Sequence, residues 1–140
     1  MPDRIFWDSN LWVYLAIQSN TPDDIAKQNT LNNLLLNPSI LISSAQVLNE
    51  VANVLMRKYK YSEADTQDFL TQIEQSTYCL PLTKDLTFEA LNLKELYQFS
   101  WYDSLIVAAA VKTNCKFLYS EDMHNGLVVG QTTIVNPFSI

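Results

Sequence analysis

Two rhythms alternate along the chain. Short runs of apolar and β-branched residues, at about 4–8 (RIFWD), 39–44 (SILISS), 77–82 (TYCLPL), 116–122 (KFLYSED) and 132–138 (TTIVNPF), predict strands. Longer stretches with apolar residues three and four apart predict helices at about 9–18, 21–37, 45–59, 62–76, 83–99 and 102–114. Thr21 or Asp23 is placed to cap the second helix, with Pro22 in its first turn, and Ser62 with Asp65 forms a capping box for the fourth. The helix at 102–114 is apolar on most sides, which makes it central. The last strand, closed by Pro137, is expected at a sheet edge. Strands separated by helices require crossover connections, so the pattern predicts an α/β fold with a mainly parallel sheet. No linker, repeat or low-complexity tract interrupts it, and residues 1–140 read as one domain.

Four acids break this pattern. Asp8 stands at the joint between the apolar strand Ile5-Phe6-Trp7 and the apolar helix that starts with Leu11 and Trp12. Glu50 lies inside the stripe formed by Val47, Val51, Val54 and Leu55. Asp103 shares a helix face with Ile106, Val107 and Ala110, and Asp122 ends the strand at 116–122. Ligands of open α/β sheets bind beyond the carboxyl ends of the strands, and all four acids are expected within reach of that edge. Half-buried carboxylates placed together repel one another and lose hydration. No Lys or Arg lies within four residues of Glu50 or Asp103, or on the C-terminal side of Asp8. A hard divalent cation with oxygen ligands, Mg²⁺ or Mn²⁺, is the natural compensation. The bland readings are an N-cap for Asp8, a helix-dipole partner for Asp103 and a turn residue for Asp122. Glu50, in mid-helix on an apolar face, caps nothing.

Composition narrows the alternatives. Hydrophobic residues make up 48% of the 140 positions, which argues against disorder. Two glycines, Gly126 and Gly130, are too few for a glycine-rich phosphate loop. Cys79 and Cys115 read as buried packing residues rather than a disulfide framework. His124, the one histidine, excludes a multi-histidine zinc site and leaves itself as the sole candidate base for a Ser-His-Asp triad. No apolar stretch is long enough to span a bilayer, and the N-terminus lacks a signal-peptide pattern, so a cytoplasmic location and no membrane partner are expected. The net charge of −6 argues against general nucleic-acid binding, but four of those charges are the misplaced acids, and without them it is −2.

The four acids, taken in order, carry a resemblance to a family. The chain resembles PIN domains, and in particular the VapC-like toxins of bacterial toxin–antitoxin pairs. The matching segments are IFWDSN with Asp8, Ser9 and Asn10, QVLNEVANVL with Glu50, WYDSLIVAAAV with Asp103, and FLYSEDM with Ser120 and Asp122. The resemblance implies a three-layer α/β/α fold and a Mg²⁺- or Mn²⁺-dependent endoribonuclease, usually a homodimer and often inhibited by an antitoxin protein. On that reading Asp8, Asp103 and Asp122 are the metal ligands. Glu50 binds metal through water or positions the attacking water. Ser9 and Ser120 orient the carboxylates, and Asn10 fixes the local turn. Glu121 is a further acid beside Asp122, and Asp122 is taken as the ligand. Family members also serve in roles other than toxins.

Arg57, Lys58 and Lys60, interleaved with Tyr59 and Tyr61, lie about two turns of helix beyond Glu50 and offer a path for RNA phosphates. The same cations would also stabilise a helix C-terminus. Trp101 and Tyr102 read as core residues, with base stacking as the alternative. His124 reads as an exposed loop residue or a phosphate contact. Two other functions compete. One is a catalytically idle PIN-like binding module. The other is a Mg²⁺-binding receiver-like phosphotransfer domain with Asp85 as phosphoacceptor, which leaves Glu50 and Asp103 unexplained.

Overall fold

The computed structural model describes residues 2–139. The elements run β1 (Asp3–Trp7), α1 (Ser9–Ala16), α2 (Pro22–Leu36), β2 (Ser39–Ser44), α3 (Ala45–Arg57), α4 (Glu63–Ser76), β3 (Tyr78–Leu80), α5 (Lys84–Tyr97), α6 (Trp101–Lys112), β4 (Phe117–Tyr119), β5 (Val128–Val129) and β6 (Thr132–Val135). Each helix starts on a short polar side chain with extended backbone: Asp8, Thr21, Ser44, Ser62, Thr83 and Ser100. Such side chains accept from backbone N–H groups that the first turn leaves unpaired. Thr21 is the cap of α2, with Pro22 following it, and Ser62 accepts from Asp65 N as the capping box requires. Among the described residues no helix is long and apolar enough to cross a membrane.

The six strands form one sheet in the order β3-β2-β1-β4-β6-β5, parallel throughout except for the β5–β6 pair. From β1 the chain steps outward to β2 and β3 through α1–α4. It then returns to β4 through α5 and α6. Right-handed crossovers in opposite directions put the two helix groups on opposite faces, which gives the three layers. α1 packs on α2 and α3, and α3 on α4, while α5 packs on α6. The core lies between the layers, with Phe6 and Trp7 of β1, Leu118 of β4 and Ile134 of β6 against Leu11, Val47, Val51 and Leu55 and the continuous buried run Ser104–Ala110 of α6.

Three expectations are corrected. The run 132–138 is not the edge strand, because β5 pairs antiparallel outside it. The two-residue turn Gly130-Gln131 closes that hairpin, with Gly130 at φ +58, a conformation glycine adopts without strain. The strand expected at 116–122 stops at Tyr119, so Asp122 sits in the following loop rather than at the strand end. Cys115 is buried as expected, but Cys79 on β3 is only half-buried.

The direction in which connections add strands reverses between β1, whose connection runs to β2, and β4, which enters on the other side. That is the switch point at which the loops beyond two neighbouring strands diverge and leave a crevice. α3 and α6 also touch, so their first turns close the crevice from both faces of the sheet.

Candidate functional site

Asp8 is buried in the crevice, with 5% of its surface exposed. Its backbone N–H donates to Tyr119 O at 2.9 Å, which ties the end of β1 to the end of β4. Its carboxylate caps α1: Oδ1 accepts from Ser9 N at 2.7 Å. The other oxygen, Oδ2, accepts from the Ser120 hydroxyl at 2.8 Å. Burial pushes the Asp8 carboxyl from its ordinary 3.8 up to about 6, against the pull of the Ser120 and Ser9 hydrogen bonds, and the charges of Asp103 and Asp122 push it further. The helix-cap reading of Asp8 is therefore correct as far as it goes, and it leaves a buried charge uncompensated.

Ser120 is fully buried and organises the loop after β4. While its hydroxyl donates to Asp8, its Oγ accepts from the N–H groups of Asp122 and Met123, each at 3.3 Å. This turn holds Asp122 at the mouth of the crevice, where it is exposed. The Asn10 amide donates to Asp122 Oδ2. Asn10, expected to fix its local turn, instead reaches from α1 to the loop after β4. Ser9 is buried beside Asp8, as the role assigned to it requires.

Glu50 comes from the second turn of α3 and is half-buried. Burial pushes its carboxyl from 4.5 up to about 7, and the charges of Asp8 and then Asp103 push in the same direction. Hydrogen bonds from Gln46 and the Ser9 side chain pull it back. Gln46 Nε2 donates to Glu50 Oε2 at 3.2 Å. Asp103, half-buried in the first turn of α6, is also raised, by burial first and by the charge of Asp122. Its backbone N–H donates to the Ser100 cap at 3.2 Å, so the segment SWYD is a capping arrangement visible in the sequence pattern. Gln46 and Ser100 were not foreseen, and Asn10 was foreseen in a different role; only Ser100 had a local signature.

Glu121 faces away from these acids. Its two oxygens take Tyr14 Oη at 2.8 Å and Lys27 Nζ at 2.7 Å, and Lys27 also reaches Tyr14 Oη at 3.2 Å. Among the described residues the ion pairs are Lys27 with Asp23 and Glu121, Lys112 with Glu89, and Lys116 with Asp3. Asp8, Glu50, Asp103 and Asp122 have none. Four carboxylates from four elements thus feel one another's charge with only hydroxyl, amide and backbone donors around them. That all-oxygen set fits a hard dication. Among the described residues, however, no three His, Cys, Asp or Glu side chains stand ready-made to hold an ion. Mg²⁺, which keeps several waters and takes only one or two carboxylates directly, suits this open arrangement best.

Of the expected nucleic-acid contacts, Arg57 and Lys58 line a groove on α3 with Asn53 and Val54. Lys60 lies beyond the helix in a left-handed conformation, φ 60, and does not line it. His124 is exposed in the loop after Asp122. Tyr102 is corrected: it is 58% exposed rather than packed in the core, whereas Trp101 is half-buried.

The family model described as "PIN domain" matches residues 5–124. None of the curated proteins matches the chain by sequence. Among solved structures it is similar to VapC20 of Mycobacterium tuberculosis, described as a sarcin–ricin-loop-cleaving toxin, with TM-score 0.68 at 20% identity, covering 84% of this chain and 89% of that one. It is also similar to a chain of a toxin–antitoxin complex from Klebsiella pneumoniae, with TM-score 0.67 at 17% identity and coverage of 95% and 97%. VapBC2 from Rickettsia felis, bound to a DNA fragment from its promoter, gives TM-score 0.64 at 19% identity and coverage of 94% and 96%. At these identities the likeness is one of fold.

Proposed function

Because the chain belongs to the PIN domain family, we propose that it is a Mg²⁺- or Mn²⁺-dependent endoribonuclease and the toxin of a bacterial VapBC-type pair. The observation that carries the chemistry is the set of four uncompensated carboxylates at the switch point, with Asp8 and Glu50 raised to about 6 and about 7. The toxin role rests on the fold neighbours, whose titles describe a toxin and toxin–antitoxin complexes. A cytoplasmic homodimer held in check by an antitoxin protein goes with that role.

Asp8 and Asp103 would be the primary ligands of the ion and Asp122 would complete the site, with Ser9 and Ser120 fixing the Asp8 oxygens and Asn10 fixing Asp122. When bound, a divalent ion supplies an acidified water and neutralises charge on the scissile phosphate. Glu50, set back on α3 and held by Gln46, accepts the proton of the attacking water. A carboxyl titrating near neutrality suits that task, because it is both available as base and strong enough to act. Water then attacks phosphorus, the P–O bond to the leaving ribose oxygen breaks, and that oxygen takes up a proton from solvent water, while Glu50 releases to solvent the one it accepted. Arg57 and Lys58 hold flanking phosphates, and Lys60 and His124 are further candidates.

Cleavage of an RNA pool by the purified protein tests this. It should need Mg²⁺ or Mn²⁺, stop in EDTA and be poor with Ca²⁺, whose looser coordination positions water badly. Absence of cleavage together with unchanged cellular effect of Glu50→Gln would leave the idle binding module as the better reading.

A further inference from the structure

Two cavities meet on the outer side of α3. One, of about 380 Å³, is lined by Gln46, Asn49, Glu50, Asn53 and Tyr102. The next, of about 320 Å³, shares Asn53 and continues to Val54, Arg57 and Lys58. Together they make one groove that starts at the presumed base and ends at the cations. Tyr102 stands on the first turn of α6, opposite the α3 wall and next to Asp103. A tyrosine 58% exposed in a groove contributes little to the core and offers an aromatic face to whatever enters. Gln46 is committed to Glu50. Asn49, Asn53 and Arg57 are exposed and recur every four residues, so they form a row in steps of about 6 Å along the helix.

Resting on the ribonuclease reading above, we infer that this groove is a base-selecting subsite: Tyr102 stacks one unpaired base beside the scissile phosphate, and Asn49 and Asn53 read its edge. The chemistry of each member fits its task. A base in a duplex has both faces stacked and its pairing edge occupied, so neither an aromatic side chain nor an amide reaches it. An unpaired RNA base exposes both. A carboxamide carries a donor and an acceptor, which is what the pairing edge of a base requires. Arg57 and Lys58 contact phosphate and so add affinity without regard to sequence. The groove therefore divides its work: asparagines and tyrosine choose the base, cations hold the strand. It also turns the acidic crevice into a site for loops or single strands.

The test uses a randomised single-stranded RNA pool with Mn²⁺ and sequencing of the cut ends. Tyr102→Ala should lower kcat/KM about tenfold, mainly through KM, and flatten the base preference at the position beside the cut. Tyr102→Phe should keep both, since the face of the ring is retained. Asn53→Ala and Asn49→Ala should change which base is preferred. Mn²⁺ affinity by calorimetry should be the same in all four variants, as none supplies a ligand. A Tyr102→Ala protein with unaltered preference and KM would overturn the inference. If the wild-type protein cuts no RNA, the ribonuclease reading fails by itself, and the groove is then judged by anisotropy of a fluorescein-labelled RNA decamer in EDTA. Weaker binding by Tyr102→Ala but not by Tyr102→Phe supports the subsite. Binding by both that equals wild type, or equally tight binding of the duplex, overturns it.

Discussion

Replacing Asp8 by Asn should make the metal-free protein more stable at neutral pH, although it weakens a helix cap. Asp8 is almost wholly buried, and its carboxyl is held at about 6 instead of 3.8. At about 1.4 kcal/mol for each factor of ten in proton affinity, the ionised carboxylate costs the fold about 3 kcal/mol. The sign follows from proton binding. Between about pH 4 and 6 the folded chain holds a proton that the unfolded chain has released, so stability falls as pH rises through this window and stays low above it. Below about pH 4 the carboxyl is protonated in both states and the penalty is absent. Asn removes the penalty but also breaks one hydrogen bond. Its oxygen still accepts from Ser9 N, whereas its amide now faces Ser120, whose hydroxyl proton loses its acceptor, at a cost of about 1 kcal/mol. The net gain is about 2 kcal/mol in EDTA at pH 7, or about 4–8 °C in Tm for a chain of this size. At pH 4 the gain should disappear. In excess Mn²⁺ the order should reverse, because only the wild-type site gains binding energy. Thermal melts of both proteins at the two pH values, with EDTA and with Mn²⁺, decide the matter. A lower Tm for Asp8→Asn in EDTA at pH 7, equal in size at pH 4, would show that the cap outweighs the charge and would refute the reasoning.

Glu50→Gln should fold normally and still bind Mn²⁺ by calorimetry, yet cleave RNA at least about a hundredfold more slowly in single-turnover assays. Mn²⁺ affinity should fall as pH drops from about 7.5 to 5.5, because protons held by Asp8 and Glu50 must leave before a cation can be compensated; calorimetry across that range checks it. Ser120→Ala removes one donor to Asp8 and the acceptor of two backbone N–H groups, so denaturant melts should show a loss of about 1–3 kcal/mol. Lys27→Met should cost about 1 kcal/mol or less by itself, since its pair with Glu121 is not fully buried, and a double-mutant cycle with Glu121→Gln should show the two losses are not additive.

The alternation of strands and helices was legible because each helix carries a cap and apolar residues at helical spacing or, in α6, on nearly every side, and each long strand an apolar run. The meeting of Asp8, Glu50, Asp103 and Asp122 was legible for a related reason: a parallel α/β sheet sends strand ends and the first turns of the following helices to one edge. What stayed hidden lacked a local signal. Val128 and Val129 are too few to declare a strand, and only the Gly130-Gln131 pair hinted at the hairpin. Asn10 finds its partner 112 positions away, and no neighbouring residue advertises that. The strand at 116–122 was drawn too long because Ser120, though polar, is buried and continues the alternation. Tyr102 was misplaced because α6 is apolar on nearly every side after its first turn, so its phase could not be read from the pattern.

The structural and the functional accounts of Asp8 are therefore not rivals. An ionised carboxylate has about four lone-pair positions on its two oxygens. The Ser9 N–H and hydroxyl both donate to Oδ1, at 2.7 and 3.4 Å, and the Ser120 hydroxyl donates to Oδ2. These bonds fix the plane of the group without exhausting it, since Oδ2 keeps a lone pair free. A carboxylate meant only as a cap would be as well served by serine or threonine, which begin every other helix of this chain, and it would carry no charge into the core. An aspartate at this one start, buried, oriented on both oxygens and left without a cation of its own, costs stability that a hydroxyl would not. Placement at the switch point, beside the charges of Asp103 and Asp122, is what the cap alone does not explain, and the proposed dication, held through the remaining lone pair of Oδ2, would offset that cost.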